Sequence, residues 1–148
     1  MDADRVTRLR GVIGRLARQL NASSTGEGLT PSQASVLGLV VARGPLSLAE
    51  LAELEGLNPT MLSRVVGRLL ELELIQRIPD PADLRSASVV STPAGKDVDQ
   101  RVKAQRAAVV SECVDQLPAE QEQALVNALP ALEALAEALK KSTRQPAR

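Results

Sequence analysis

The chain has 148 residues, 18 basic against 18 acidic side chains, and no histidine, tryptophan, tyrosine or phenylalanine. Its length suits one domain with its own core, and an apolar fraction of 44% argues against disorder. The missing histidine removes the commonest general base and metal ligand, and the lone cysteine, Cys113, leaves no intrachain disulfide and no cysteine zinc knuckle. No metal or cofactor is therefore expected, and zero net charge offers a partner no large overall field.

The N-terminal run "MDADRVTRLRGVIGRLARQL" carries too many charges for a signal core. The longest apolar run, "ASVLGLVVA", is nine residues and too short for a bilayer, so the expectation is a soluble cytoplasmic protein with no membrane partner. Val6, Leu9, Ile13, Leu16 and Leu20 recur at steps of three and four, which predicts a helix with Arg5, Arg8, Arg15 and Arg18 mostly off the apolar stripe. "NASSTGEG" ends it with loop chemistry. A second helix opens with Thr30 as cap and Pro31 at the first helical position, buries Val36, Leu37 and Val40, and breaks at "GPL". A third runs through "SLAELAELEG", where Ser47 and Glu50 form a capping box and Gly56 closes the helix. A fourth, "NPTMLSRVVGRLLELE", is capped by Asn58 ahead of Pro59.

"LIQRI" and "ASVVS" read as two strands of a hairpin around the loop "PDPADLRS". Thr92 and Pro93 start a long fifth helix with the stripe Val98, Val102, Val109, Cys113 and Leu117, on which Cys113 is expected to be buried and unreactive. The sixth helix carries Leu125, Leu129, Leu132, Leu135 and Leu139, with Pro130 expected to kink or break it and "STRQPAR" to fray. Leaving the first and last stripes uncovered would expose a large apolar patch, so a partner is expected, a symmetric homodimer being the simplest.

The third and fourth helices, joined by "EGLN", carry the pattern of a helix-turn-helix. At 100° per residue Leu62, Val65, Val66 and Leu69 share one side of the fourth helix, and Thr60, Ser63, Arg64, Gly67 and Arg68 the other. The polar side suits a DNA major groove: Arg donates two bonds to guanine, and Thr and Ser contact bases or phosphates. Gly67 would let the helix backbone approach, and the N-terminal end, with Asn58 and Thr60, offers free amides to a phosphate. The plain alternative is that Arg64 and Arg68 only solvate an outer face. The hairpin that follows makes the whole a winged helix, whose tip would send Arg85 into a minor groove, aimed by Asp83. Asp83 and Arg85 pairing to stabilise their own turn is compatible with that role.

The run from Leu48 to Gly95 resembles the MarR family of bacterial winged-helix regulators, through "LAELAELEGLNPTMLSRVVGRLLELELIQR" followed by "DPADLRSASVVSTPAG". The family's wing signature matches Asp83, Arg85, Val89, Thr92 and Gly95. The resemblance implies a homodimer with intertwined terminal helices, two recognition helices on one duplex face, and transcriptional control relieved by a small phenolic or lipophilic ligand or by thiol oxidation.

The expected fold class is mainly α with a small β-hairpin wing, a winged helix-turn-helix with N- and C-terminal dimerisation helices. Residues 1–148 form a single MarR-like domain, with the DNA-binding module at about 30–92 and dimerisation helices at about 3–22 and 93–141. The expected function is sequence-specific double-stranded DNA binding by a ligand-responsive repressor and not catalysis. The helix at about 58–72 would lie in the major groove of a pseudo-palindromic operator and the wing at about 79–87 in the minor groove. Asn58, Thr60, Ser63, Arg64, Arg68, Asp83 and Arg85 are the candidate DNA-binding residues. From Arg43 to Arg85 there are five Arg against seven Asp plus Glu, which supports an alternative: a winged-helix protein-interaction module without significant DNA binding.

Overall fold

A computed structural model of the chain describes residues 1–22, 26–79 and 87–143. In chain order the elements are α1 (Ala3–Ala22), α2 (Pro31–Arg43), β1 (Leu46–Ser47), α3 (Leu48–Glu55), α4 (Pro59–Glu71), β2 (Ile75–Pro79), β3 (Ala87–Ser91), α5 (Pro93–Val114) and α6 (Ala119–Thr143). They fall into two compact units, Met1–Ala107 and Ala108–Arg148.

Side-chain caps set the starts of the helices in the middle of the first unit. Thr30 Oγ1 accepts the Gln33 N–H at 3.2 Å while the Gln33 side-chain oxygen accepts the Thr30 N–H at 3.0 Å. Ser47 and Glu50 exchange the same two bonds, each 3.1 Å long. Both are capping boxes, which satisfy amides that a helix start would otherwise leave unpaired. Gly56 ends α3 in the left-handed conformation, with φ 65°, and its N–H returns to the Ala52 and Glu53 carbonyls. A side chain is strained in that conformation, which is why glycine serves there.

The sheet has the order β1-β3-β2 and is antiparallel throughout. The expected two-stranded hairpin pairs Ile75 with Ser91 through Pro79 with Ala87. A third strand, β1, extends it by setting Leu46 opposite Val89 and Ser47 opposite Ser88. Two residues are too short to show an alternating pattern, so β1 has no signature of its own. Its position follows from burying Leu46 beside the fully buried Val89.

The core belongs to the first unit and is wholly aliphatic. Val36, Leu37 and Val40 of α2 pack with Leu51 of α3, with Leu62, Val65, Val66 and Leu69 of α4, and with Ile75, Val89 and Val102. Each side chain of this size removed from water contributes about 1.5–3 kcal/mol before chain entropy is set against it. Ser35 Oγ donates to the Glu55 carboxylate at 2.9 Å and ties α2 to the end of α3.

Two expectations are corrected. Cys113 is exposed rather than buried, as are Val109 and Leu117 on the same stripe. Val102 is the last residue of α5 in the core, and none of Val109, Cys113 and Leu117 belongs to it. Pro130 does not break α6, which runs from Ala119 to Thr143. One lost donor is a single bond in a helix of 25 residues rich in alanine and leucine, the best helix formers. The stripe of α1 is uncovered too: the helix buries none of its residues, and Val6 and Leu16 are at least half exposed.

Candidate nucleic-acid interface

α4 presents two faces of opposite character. Leu62, Val65, Val66 and Leu69 are buried in the core, while Thr60, Ser63, Arg64 and Arg68 are exposed on the other side. A helix so divided projects its polar side chains away from the module that holds it. The Arg64 side chain has no hydrogen bond or ion pair with another described residue. Arg68 donates to Glu71 at 3.2 Å, both side chains being more than half exposed, so the pair contributes at most about 1 kcal/mol and is readily exchanged for another acceptor. Asn58 is committed differently from the other polar residues. Its Oδ1 accepts the Met61 N–H at 2.8 Å as the cap of α4, which fixes the side chain at the helix start and leaves its NH2 group as the outward donor.

Gly67 lies between Arg64 and Arg68 on this outer face. A Cβ built there meets no atom of a described residue within 4 Å, so packing among the described residues does not call for glycine. Among non-proline residues glycine is the least favourable in a helix, by about 1 kcal/mol relative to alanine.

The turn after α4 is locked to the start of α5. Glu73 has φ 58°, a left-handed conformation uncommon for a residue with a side chain. Thr92 Oγ1 donates to the Glu73 carbonyl at 2.7 Å and accepts the Gly95 N–H at 3.0 Å, while the Thr92 N–H reaches the Leu74 carbonyl at 3.0 Å. A Cβ on Gly95 would overlap the Leu74 carbonyl oxygen and lie 2.9 Å from its carbon. Thr92 and Gly95 of the wing signature thus serve one joint: the Thr92 hydroxyl bridges the Glu73 and Gly95 backbones, and the bare Cα of Gly95 lets the Leu74 backbone come close. Val89, from the same signature, fills the core behind them. Asp83 and Arg85, the expected wing-tip residues, lie outside the described residues.

Sequence reasoning missed the polar side of α5. Asp99, buried and charged, pairs with the Lys103 ammonium at 2.7 Å, and its Oδ1 lies 3.1 Å from where a Cβ on Gly38 of α2 would sit. Arg101 donates to Glu27 at 2.8 Å, and the Glu27 carboxylate raises the guanidinium pKa above its ordinary value. Arg106 keeps Nε and one terminal nitrogen, Nη2, out of water with no acceptor among the described residues. The spacing of Asp99 and Lys103, four residues apart, was the available signal, but burial of the acid depends on the bare Cα of Gly38 opposite. Among the described residues no group of three or more His, Cys, Asp or Glu could hold a metal ion, and no helix is long and apolar enough to cross a membrane.

A helix-turn-helix on an aliphatic core, followed by a small antiparallel sheet and a long helix, defines a winged helix-turn-helix protein. Comparison with known proteins agrees. The MarR family model matches residues 29–87. The uncharacterized HTH-type transcriptional regulator ML2140 of Mycobacterium leprae is 30% identical over 116 residues, covering 78% of this chain and 79% of its own. The transcriptional regulator Tm0710 of Thermotoga maritima superimposes with a TM-score of 0.72 at 24% identity, over 96% of this chain and 99% of its own. A mutant of Staphylococcus aureus MepR, solved bound to an oligodeoxyribonucleotide, does so with a TM-score of 0.62 at 20% identity, over 88% and 97%. The chain belongs to the MarR family of winged helix-turn-helix transcriptional regulators, which are DNA-binding proteins and not enzymes.

Proposed function

We propose that the chain is a ligand-responsive repressor acting in the cytoplasm as a single MarR-like domain that dimerises. Residues of about 30–92 form its reader module, and those of about 3–22 and 93–141 its dimerisation helices. In this reading α4 enters the major groove of a pseudo-palindromic operator. Thr60, Ser63, Arg64 and Arg68 contact base edges and phosphates, and Asn58 holds a phosphate at the helix start. Arg85, aimed by Asp83, reaches the minor groove. The observation that carries the reading is the division of α4 into a buried aliphatic face and an exposed face of hydroxyls and guanidinium groups. The solved MepR complex with DNA supports it by likeness of fold.

The dimer is supported by the uncovered apolar stripes of α1 and α6, which a second copy would cover. A small lipophilic effector fits the aliphatic composition better than an aromatic stacking ligand would, since the chain has no aromatic side chain.

The test is binding of labelled duplex from the chain's own upstream region across a salt series. Arg64→Ala is expected to weaken binding about tenfold to a hundredfold, or 1–3 kcal/mol. Arg85→Ala is expected to weaken it less and to flatten the salt dependence. Retention of full affinity by both variants would overturn the site assignment. A second reading, an interaction module for protein partners, is favoured by the excess of acids between Arg43 and Arg85. It takes precedence if the wild-type protein binds no duplex at low salt.

A further inference from the structure

Nothing among the described residues explains why residue 67 is a glycine. It is not among the described glycines with a left-handed backbone, which are Gly26, Gly28 and Gly56, so the backbone conformation there is open to any residue. Packing does not require it either, because the space its Cβ would fill is empty. Gly95 is the contrast: a Cβ there collides with the backbone of Leu74. Helix formation itself disfavours glycine in the middle of α4. With no cause among the described residues, what remains is what meets the face on which Gly67 sits.

That face is made mainly of short side chains. At 100° per residue Gly67 falls between Ser63 and Arg64, one turn towards the helix start, and it lies nearly in line with Thr60. A hydroxyl on a Ser or Thr reaches only one bond beyond its Cβ, so it touches a base edge only if the helix backbone itself comes close to the groove floor. A methyl group in the centre of the same face would hold the helix away. We infer that Gly67 is a specificity-determining notch: it lets the backbone of α4 seat against the duplex so that Thr60 and Ser63 read bases rather than solvent. The inference rests on the DNA-binding reading of α4 given above.

The notch separates stability from affinity, which makes it testable by a substitution that improves the fold. Gly67→Ala is expected to raise the melting temperature by about 2–4 °C, because alanine is the better helix former. It is expected to weaken binding about tenfold to a duplex selected from genomic DNA by the wild-type protein. Gly67→Leu should weaken it further, in keeping with side-chain size. The slope of affinity against salt should not change, since no charge is removed. The inference is overturned if Gly67→Ala binds the selected duplex as tightly as wild type, and the DNA-binding reading then survives without it. It is equally overturned if Gly67→Ala lowers the melting temperature, because the fold would then need the glycine for itself. If wild type selects no duplex at all, the DNA-binding reading fails and the notch with it.

Discussion

α4 and α6 are built from the same kinds of residue at the same spacing, yet they end in opposite environments. Leu62 and Leu69 of α4 are almost wholly out of water, at 2% and 0% exposure, while Leu125 and Leu129 of α6 are 44% and 53% exposed. A stripe at steps of three and four therefore specifies that a helix has an apolar side, not what covers it. For α4 the cover is present in its own unit: α2, α3 and the sheet close over it within one core. For α6 no described residue of the helix is buried, which is the pattern of a surface waiting for another molecule.

The sharpest way to press this contrast is to remove one leucine from each helix. Leu69→Ala should cost about 3 kcal/mol of unfolding free energy, from lost transfer energy plus a cavity, at any protein concentration. Circular dichroism against urea would measure it, since the chain has no aromatic side chain to report by fluorescence. A loss below about 1 kcal/mol would mean that the core around α4 collapses onto the gap. Gly95→Ala attacks the joint beside that core and should cost about 2 kcal/mol, because the Leu74 backbone cannot yield as a flexible side chain would. Leu129→Lys on α6 should behave differently in kind. It should raise the dimer dissociation constant at least about tenfold, or 1.4 kcal/mol, in sedimentation, and leave unfolding at high dilution unchanged. A wild-type monomer at micromolar concentration would remove the contrast at its root. Asn58→Ala, the smallest change, should cost about 1 kcal/mol through the lost cap on α4. Its effect on unfolding, read beside its effect on DNA affinity, separates the capping role from a phosphate contact.

Much of this was legible in the chain itself because local chemistry decides it. Thr30, Ser47 and Asn58 cap the helices they precede because a side-chain oxygen within three residues is the nearest partner for the first free amides. The two faces of α4 were legible for a related reason, a period of 3.6 acting on strongly apolar and strongly polar residues. What could not be read depends on contacts between distant segments. β1 exists because Leu46 pairs with Val89, 43 positions away. Cys113 shares a stripe with Val102, yet Val102 is part of the core and Cys113 is exposed. The bond from Thr92 to Glu73 has no signature either, because it needs a turn in which a residue with a side chain adopts φ 58°. Of the candidate site, the outer face of α4 was anticipated residue by residue. The ion pair of Arg68 with Glu71 was not.

That bond from Thr92 has a mechanical consequence. One hydroxyl and one amide fasten the end of α4, the start of β2 and the first turn of α5 at a single joint, with the bare Cα of Gly95 pressed against the Leu74 carbonyl. A joint this short leaves little room for slip. The first turn of α5 is therefore tied directly to the end of the helix whose outer face carries Arg64.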